Sequence, residues 1–304
     1  MLARVPFIPR LDLEGGVPHS HVWTILLTGD AAPIPGRGHR ARGCHTSVRW
    51  PVATAPSARA QRTLERATRL APVGQTVAVL TRRRATAWGA ELTGLPHVQR
   101  LVQPVYRGGG AEVLLPLLKI ARQDPSATVI VLPVEPRVDH DARLLRYITR
   151  AIWAVVLRPD LPIVIGAHPH MPVVDGWIEP GEPVEGLEDL AVRAVKGFVD
   201  GASPAERRRL FDTDAVTSTS IFVARASTLR ALAARVLPEV LEALEPLEQV
   251  FGGPEESLLC EAVYECMPRA GLVPLERSPG MAVLALPDLV WHAPDREELE
   301  LLAS

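Results

Sequence analysis

Residues 103–136, QPVYRGGGAEVLLPLLKIARQDPSATVIVLPVEP, decide the fold of this chain. The stretch contains a glycine turn at 107–110, an amphipathic segment with helical spacing, an Asp-Pro turn and an apolar run, TVIVLPV, typical of a buried strand. Glu135 stands between two prolines where that strand ends. Ligands of open α/β sheets bind beyond the carboxyl ends of the strands. We therefore expect Glu135 to be a metal or substrate ligand.

Apolar runs and helical patterns alternate along the rest of the chain. Strands are predicted at 22–27, 76–80, 98–103, 128–134, 162–167, 192–199, 220–224 and 281–286, and helices at 59–70, 85–92, 141–157, 204–212, 226–243 and 295–302. Such alternation predicts an α/β fold in three layers, a mainly parallel sheet with helices on both faces. Residues 1–21 lack periodicity and predict a loose extension, so we expect a single domain over 22–304.

Composition excludes several classes of protein. A chain of 304 residues, 47% of them hydrophobic, can bury a sizeable core. The sequence has no apolar run of about 18 residues and its first residues lack the apolar core of a signal peptide, so we expect a cytoplasmic protein with no membrane partner. Aromatic residues make up only 5% of the chain and do not interleave with the basic ones, which argues against a nucleic-acid partner. Three cysteines are too few and too badly spaced for a disulfide framework or a zinc site.

Charge is distributed unevenly. Residues 1–110 contain 15 Arg and Lys against 5 Asp and Glu, whereas residues 111–304 contain 18 against 30. A basic half can attract phosphates. The chain has 31 arginines and only two lysines, however, a skew typical of a GC-rich genome, so the arginine excess alone does not indicate a binding site.

Three segments resemble the bacterial sugar-1-phosphate nucleotidyltransferases, most closely the mannose-1-phosphate guanylyltransferases. They are QPVYRGGGAEVLLPLLKIARQDPSATVIVLP, GWIEPGEPV and SIFVARASTLRAL, within a resemblance that runs from Val22 to Leu302. It implies a Rossmann-like nucleotide-diphospho-sugar transferase fold. It also implies a reaction in which a sugar 1-phosphate attacks the α-phosphorus of a nucleoside triphosphate and releases pyrophosphate, with Mg²⁺ as cofactor. The implied partners are these two substrates.

The phosphate-binding loop of the family is largely replaced. Of its glycines only Gly29 remains, and the resemblance implies that Gly29 binds the nucleotide. Pro33 and Pro35 have no amide hydrogen to offer a phosphate. Arg49 is the nearest substitute for the loop lysine and takes the implied catalytic role with Glu135, although Arg and Lys are not interchangeable at a tight site.

The turn that reads the base in the family is partly kept. Gln103, Arg107 and Gly108 match the family pattern Gln-Pro-x-Asn-Arg-Gly-Thr, whereas Tyr106 and Gly109 replace its Asn and Thr. The resemblance implies that the three matching residues bind the nucleotide. An ordinary glycine turn before a helix explains the same residues equally well.

The metal and sugar-phosphate motifs are also altered. Glu135 occupies the position of one metal-binding aspartate, which implies a Mg²⁺ ligand, but Ala293 occupies the position of the other. The resemblance implies that the sugar phosphate is bound by Gly176, Asp200 and Ser218.

Two functions remain open. In the first, the chain is a mannose-1-phosphate guanylyltransferase-like enzyme that is severely impaired or inactive, because one metal carboxylate and both family lysines are missing. In the second, it is a non-catalytic binding or regulatory paralogue that partners an active enzyme. Self-association as a homo-oligomer is compatible with either function.

Overall fold

A computed structural model of the chain describes residues 19–28, 58–93, 97–134, 137–138, 141–169, 176–286 and 291–292. The helices are α1 Ala58–Leu70, α2 Arg82–Thr93, α3 Gly109–Gln123, α4 Asp141–Leu157, α5 Pro204–Phe211, α6 Ala226–Val236, α7 Pro238–Leu244, α8 Glu256–Cys266 and α9 Val273–Glu276. The strands are β1 Val22–Leu27, β2 Thr76–Thr81, β3 Gln99–Gln103, β4 Thr128–Pro133, β5 Arg137–Val138, β6 Ile163–Ala167, β7 Trp177–Pro183, β8 Val192–Val199, β9 Val216–Arg225, β10 Ala282–Leu286 and β11 Trp291–His292. The α/β class is as the sequence predicts.

The first half of the large sheet consists of parallel strands in the order β3-β2-β1-β4. Every residue of β1, β2 and β4 is buried, as expected for strands that are covered on both faces. Alternate residues of β1 enter different cores. Val22 and Leu26 pack with α1, α2 and α4, whereas Trp23 and Ile25 pack with α3, α6, α7 and α8. Helices therefore cover both faces of this half.

The second half of the sheet closes on itself. β9 lies antiparallel between β4 and β6, and the order continues through β10 and β8 to β7. β7 pairs in turn with β9, so β9, β6, β10, β8 and β7 form a closed five-stranded barrel. The prediction of a mainly parallel sheet is wrong. In the described part of the whole nine-stranded sheet, only four of the nine strand pairings are parallel. The short connection between β7 and β8 accounts for one of the antiparallel pairs, because parallel neighbours need a long crossover.

One predicted helix needs correction, and one helix that forms a later groove was not predicted. The single helix predicted over 226–243 is two helices, α6 and α7, which meet at Leu237. Leu237 has φ −137° and ψ 46°, outside the helical region, because the ring of the following Pro238 disfavours a helical conformation at the preceding residue. Helix α8 was not predicted, and it forms one wall of a groove described below.

The described helices include none that is both long and apolar enough to cross a membrane.

Candidate functional site

Gln103 lies at the carboxyl end of β3, beside the carboxyl end of β2, where its register partner is Thr81. Its side chain is only 1% exposed, and its Oε1 atom accepts no hydrogen bond from the described residues. An unpaired buried amide oxygen costs free energy unless a partner reaches it. Three of the four residues predicted to bind the nucleotide lie in the described part of the chain, and of these Gln103 is the one whose surroundings fit that role.

Arg107 and Gly108 are engaged by the protein itself. The Arg107 guanidinium donates from Nε to the Tyr264 carbonyl (2.6 Å) and from Nη2 to the Glu265 carbonyl (2.8 Å). These carbonyls belong to the last turn of α8, where a helix lacks internal donors. Gly108 has φ +99°, and a Cβ added to it would overlap the Ala270 carbonyl oxygen. Both residues therefore have a structural role in the fold.

The glycine turn is also joined to the segment after α8 by backbone hydrogen bonds. The Gly110 amide donates to the Ala270 carbonyl (3.0 Å), and the Ala270 amide donates to the Arg107 carbonyl (3.0 Å). The Gly110 amide is thus occupied at the start of α3, where a phosphate would otherwise find a donor. Close backbone approach accounts for the glycines of this turn without a nucleotide.

The three residues predicted to bind the sugar phosphate lie together at one end of the barrel. Trp177, the first residue of β7, pairs with Val199 of β8 and with Thr217 of β9. Gly176, Asp200 and Ser218 are the chain neighbours of those three residues. The closure of the barrel therefore brings them together.

Two charged residues that the sequence analysis did not select, Glu276 and Arg277, lie at the centre of this group. Arg277 forms an ion pair from Nη1 to Oδ1 of Asp200. Gly176 has φ +86°, and an added Cβ would lie 2.5 Å from Nη2 of Arg277. The Ser218 hydroxyl lies 3.4 Å from Oε2 of Glu276 and donates to it. We call these five residues the Glu276–Arg277 cluster.

A bulge in β9 places the hydroxyl groups of the cluster. Val164 pairs with Phe222 but Gly166 pairs with Ser218, so β9 advances four residues while β6 advances two. Within the bulge Ser220 has φ +58°, a left-handed conformation that is rare for a residue with a side chain. Bulges change the direction of side chains, and here the Ser218 hydroxyl donates to Glu276 and accepts from the Ser220 amide (3.1 Å).

Glu276 is a buried carboxyl group with unused hydrogen-bonding capacity. Its side chain is only 4% exposed, and its Oε1 atom has no partner among the described residues. Burial raises the pKa of Glu276, while the hydrogen bond from Ser220, the charge of Arg277 and the hydrogen bond from Ser218 oppose the rise. The environment thus favours the neutral acid, which can both donate and accept.

Arg277 is a partly exposed cation on the same turn. Its side chain is 16% exposed and that of Asp200 is 39% exposed. The Nε atom of Arg277 is buried without a hydrogen-bond partner in the described part of the chain. A guanidinium has five donors in a planar fork, so the pair with Asp200 leaves donors for an anion. The sequence signal was the adjacent charge pair in PLERSPG, between two apolar segments.

The predicted Mg²⁺ ligand Glu135, together with Arg49 and Gly29, lies outside the described residues. Those that are described contain no group of three or more His, Cys, Asp or Glu side chains that could hold a metal ion. In the cluster, Asp200 is already paired with Arg277 and Glu276 favours its neutral form. These carboxyl groups do not fit a Mg²⁺ site, for which ionised oxygen ligands are needed.

Two solved structures share the fold. A mannose-1-phosphate geranyltransferase from Thermus thermophilus matches with a TM-score of 0.69 and 23% identity over 90% of this chain and 76% of its own. A mannose-6-phosphate isomerase from Helicobacter pylori matches with a TM-score of 0.62 and 14% identity over 90% of this chain and 99% of its own. The chain therefore shares its fold with these two proteins.

At the level of sequence, no protein-family model and no curated protein matches the chain.

Proposed function

We propose that this protein is a mannose-1-phosphate guanylyltransferase-like protein that binds a sugar 1-phosphate at the Glu276–Arg277 cluster and is severely impaired or inactive in nucleotidyl transfer. The observation that carries the proposal is the convergence of Gly176, Asp200 and Ser218 on that pair of charged residues. The two solved structures described above are both named for a mannose phosphate, which supports the same class of ligand.

The phosphate group of such a ligand would bind Arg277. An arginine fork matches the geometry of phosphate oxygens, and charge-assisted hydrogen bonds are the stronger kind. The ion pair with Asp200 holds the guanidinium in place, and the absence of a side chain at Gly176 leaves room for it.

The hydroxyl groups of the sugar would bind Glu276. A neutral carboxyl group offers a donor as well as acceptors, and Oε1 has no partner within the described residues. Ser218 donates to Oε2 from the bulge of β9, where the Ser220 amide donates to the Ser218 hydroxyl. The cluster therefore combines a cation with a buried hydrogen-bonding group, as recognition of a sugar phosphate requires.

Impaired transfer follows from the nucleotide side. Transfer of a nucleotidyl group depends on positioning and on neutralising charge at the reacting phosphorus. Arg107 and the Gly110 amide are both engaged by backbone carbonyls. Loss of a single preorganised donor reduces rates by about 10²–10³-fold. We assign no step to Mg²⁺, since the described carboxyl groups do not fit it.

The second candidate is a non-catalytic regulatory paralogue that partners an active enzyme. It is favoured by the same turn, since Arg107 donates to carbonyls of α8 and Gly108 and Gly110 closely approach Ala270, contacts that need no nucleotide. Pyrophosphate release from GTP and mannose 1-phosphate distinguishes the candidates. Turnover far below about 1 per second is expected of an impaired enzyme, and none at all of a regulatory paralogue.

The test of the sugar-phosphate site is calorimetric titration with mannose 1-phosphate and, separately, with mannose. We expect the phosphate ester to bind and Arg277→Gln to weaken its binding by about tenfold or more, the equivalent of one charge-assisted hydrogen bond. The matched control is Arg158→Gln, because Arg158 forms a comparable ion pair with Asp160 in the turn before β6. Binding that is absent in the wild type, or equal in the two variants, would overturn the proposal.

A further inference from the structure

A groove of about 390 Å³ runs along the outer edge of β3. In the described part of the chain, β3 pairs with β2 on one side and with no strand on the other. Arg100, Leu101 and Val102 all line the groove, although successive residues of a strand point to opposite faces. The groove therefore meets the edge of the strand, where backbone donors and acceptors lie.

The opposite wall and the floor come from the helical side of the sheet. Residues 256, 257, 260 and 261 of α8 form the wall. Leu115, Leu247 and Phe251 provide an apolar floor. An exposed edge strand beside a groove with an apolar floor is an arrangement in which an extended peptide can add a strand to a sheet.

The groove carries an excess of positive charge. Arg82, Arg100 and Lys119 come from three different elements and converge on it. Arg82 pairs with Glu261, and the Lys119 ammonium lies 3.2 Å from a carboxylate oxygen of Glu256. Arg100, on the strand edge, forms no ion pair with the described residues and is exposed. One cation is thus left for a ligand.

Apolar surface remains exposed beside that cation. Val102 and Val105 are each 42% exposed, on and just beyond the end of β3. Side chains of this kind on an edge strand favour pairing with another chain. The combination calls for an occupant with apolar and acidic side chains.

We propose that this groove binds an extended acidic segment of a partner protein, which adds a strand to β3. Its backbone pairs with residues 99–103, an apolar side chain packs against Phe251 and Leu115, and an acidic side chain pairs with Arg100. A second copy of β3 is a poorer occupant, because the strand, QRLVQ, contains a cation and no acid and two copies gain no charge complementarity.

The test uses the full chain and a fluorescein-labelled hexapeptide of alternating leucine and glutamate, with fluorescence polarisation as the readout. We expect Arg100→Glu to weaken binding by about tenfold or more, because it places like charges together. Arg62→Glu, the same change at an exposed position of α1 on the other face of the sheet, should leave binding unchanged. A peptide with lysine in place of glutamate should bind more weakly than the acidic one.

Backbone pairing is tested with the same peptide carrying N-methyl groups on alternate amides. Two versions of the peptide are compared, one methylated on the odd-numbered amides and the other on the even-numbered amides. In one version the methyl groups replace the amide hydrogens that face β3, so that version should bind about tenfold more weakly than the other. Equal binding of both peptides, failure of the unmodified peptide to bind, or an affinity that Arg100→Glu does not change would each overturn the proposal. So would a dimer in sedimentation that Arg100→Glu dissociates, since the occupant would then be a second copy.

Discussion

Replacement of Gly176 by alanine tests the sugar-phosphate site at its tightest contact. Gly176 has φ +86°, and alanine in a left-handed conformation costs about 1–2 kcal/mol. The added Cβ would lie 2.5 Å from Nη2 of Arg277, so the guanidinium must shift, and we expect the shift to weaken its pair with Asp200, which Nη1 makes. That pair is partly exposed and contributes at most about 1 kcal/mol. We expect Gly176→Ala to lower the free energy of unfolding by about 1–3 kcal/mol.

The matched control is Gly186→Ala. Gly186 has φ +79°, but an added Cβ there would meet no atom within 4 Å. The two variants share the backbone cost, so the difference between them isolates the displacement of Arg277. Urea denaturation of both proteins measures the stability term, and calorimetric titration with mannose 1-phosphate measures the effect on binding.

The affinity for mannose 1-phosphate distinguishes a ligand-binding cluster from a structural one. Displacement of Arg277 removes charge-assisted hydrogen bonds, so Gly176→Ala should bind mannose 1-phosphate about 10- to 100-fold more weakly, while Gly186→Ala binds it as the wild type does. If the two variants bind the ligand equally and unfold at the same urea concentration, the contact between Gly176 and Arg277 has no functional meaning and the cluster is only part of the scaffold.

Three further predictions concern the residues around the two sites. Gly108→Ala should destabilise the protein by more than about 2 kcal/mol, because its Cβ would overlap a carbonyl oxygen. Gly252→Ala, at a position with positive φ and open space, should cost only the backbone contribution of about 1–2 kcal/mol. Equal losses of stability in chemical denaturation would contradict this prediction. Burial raises the folded-state pKa of Glu276 above its ordinary value of 4.5, so its neutral form stabilises the protein at low pH and this contribution is lost as pH rises through the raised pKa. Glu276→Gln stays neutral at every pH, so the free energy of unfolding of this variant, measured with urea, should fall less as pH rises. A pH dependence equal to that of the wild type would contradict a buried carboxyl group at this position. Burial raises the pKa of Cys260 to about 11, so about one Cys260 thiol in a thousand is ionised near pH 8. Alkylation mapped by mass spectrometry should therefore be far slower at Cys260 than at the exposed Cys266. Similar rates at the two cysteines would show that Cys260 is accessible.

The local elements of the fold could be read from the sequence because each leaves a local pattern. The apolar runs at Val22–Leu27 and Val192–Val199 are strands with the predicted bounds. The closure of the barrel leaves no such pattern, because it depends on Trp177 pairing with Val199 and with Thr217, contacts made far along the chain. Helix α8 also escaped prediction, although Leu259, Val263 and Cys266 follow helical spacing.

The Glu276–Arg277 cluster could be predicted only in part. The family resemblance selected Gly176, Asp200 and Ser218, whose binding of a sugar phosphate stays a prediction, but it did not select the two charged residues that they contact. Glu276 and Arg277 form an ordinary charge pair in the sequence, and their burial becomes evident only when β9 is bulged and the barrel is closed. Chemistry that arises from tertiary closure has no local signature.

The glycine turn shows why a retained motif does not by itself indicate a retained function. Arg107 and Gly108 match the family at the base-reading turn, yet the first caps α8 and the second accommodates the Ala270 carbonyl. Such contacts would preserve both residues in a protein that had lost its nucleotide. The Glu276–Arg277 cluster is different, because an unpaired carboxyl oxygen and an unpaired guanidinium Nε in the described structure cost stability unless a ligand uses them. Contacts within the protein therefore account for Arg107 and Gly108, whereas the Glu276–Arg277 cluster, like the amide oxygen of Gln103, keeps a buried polar atom without a partner in the described residues. The loss of Arg107 and Gly108 to structural contacts, beside a cluster with unused donors and acceptors, favours the proposal of a protein that binds a sugar phosphate without efficient transfer.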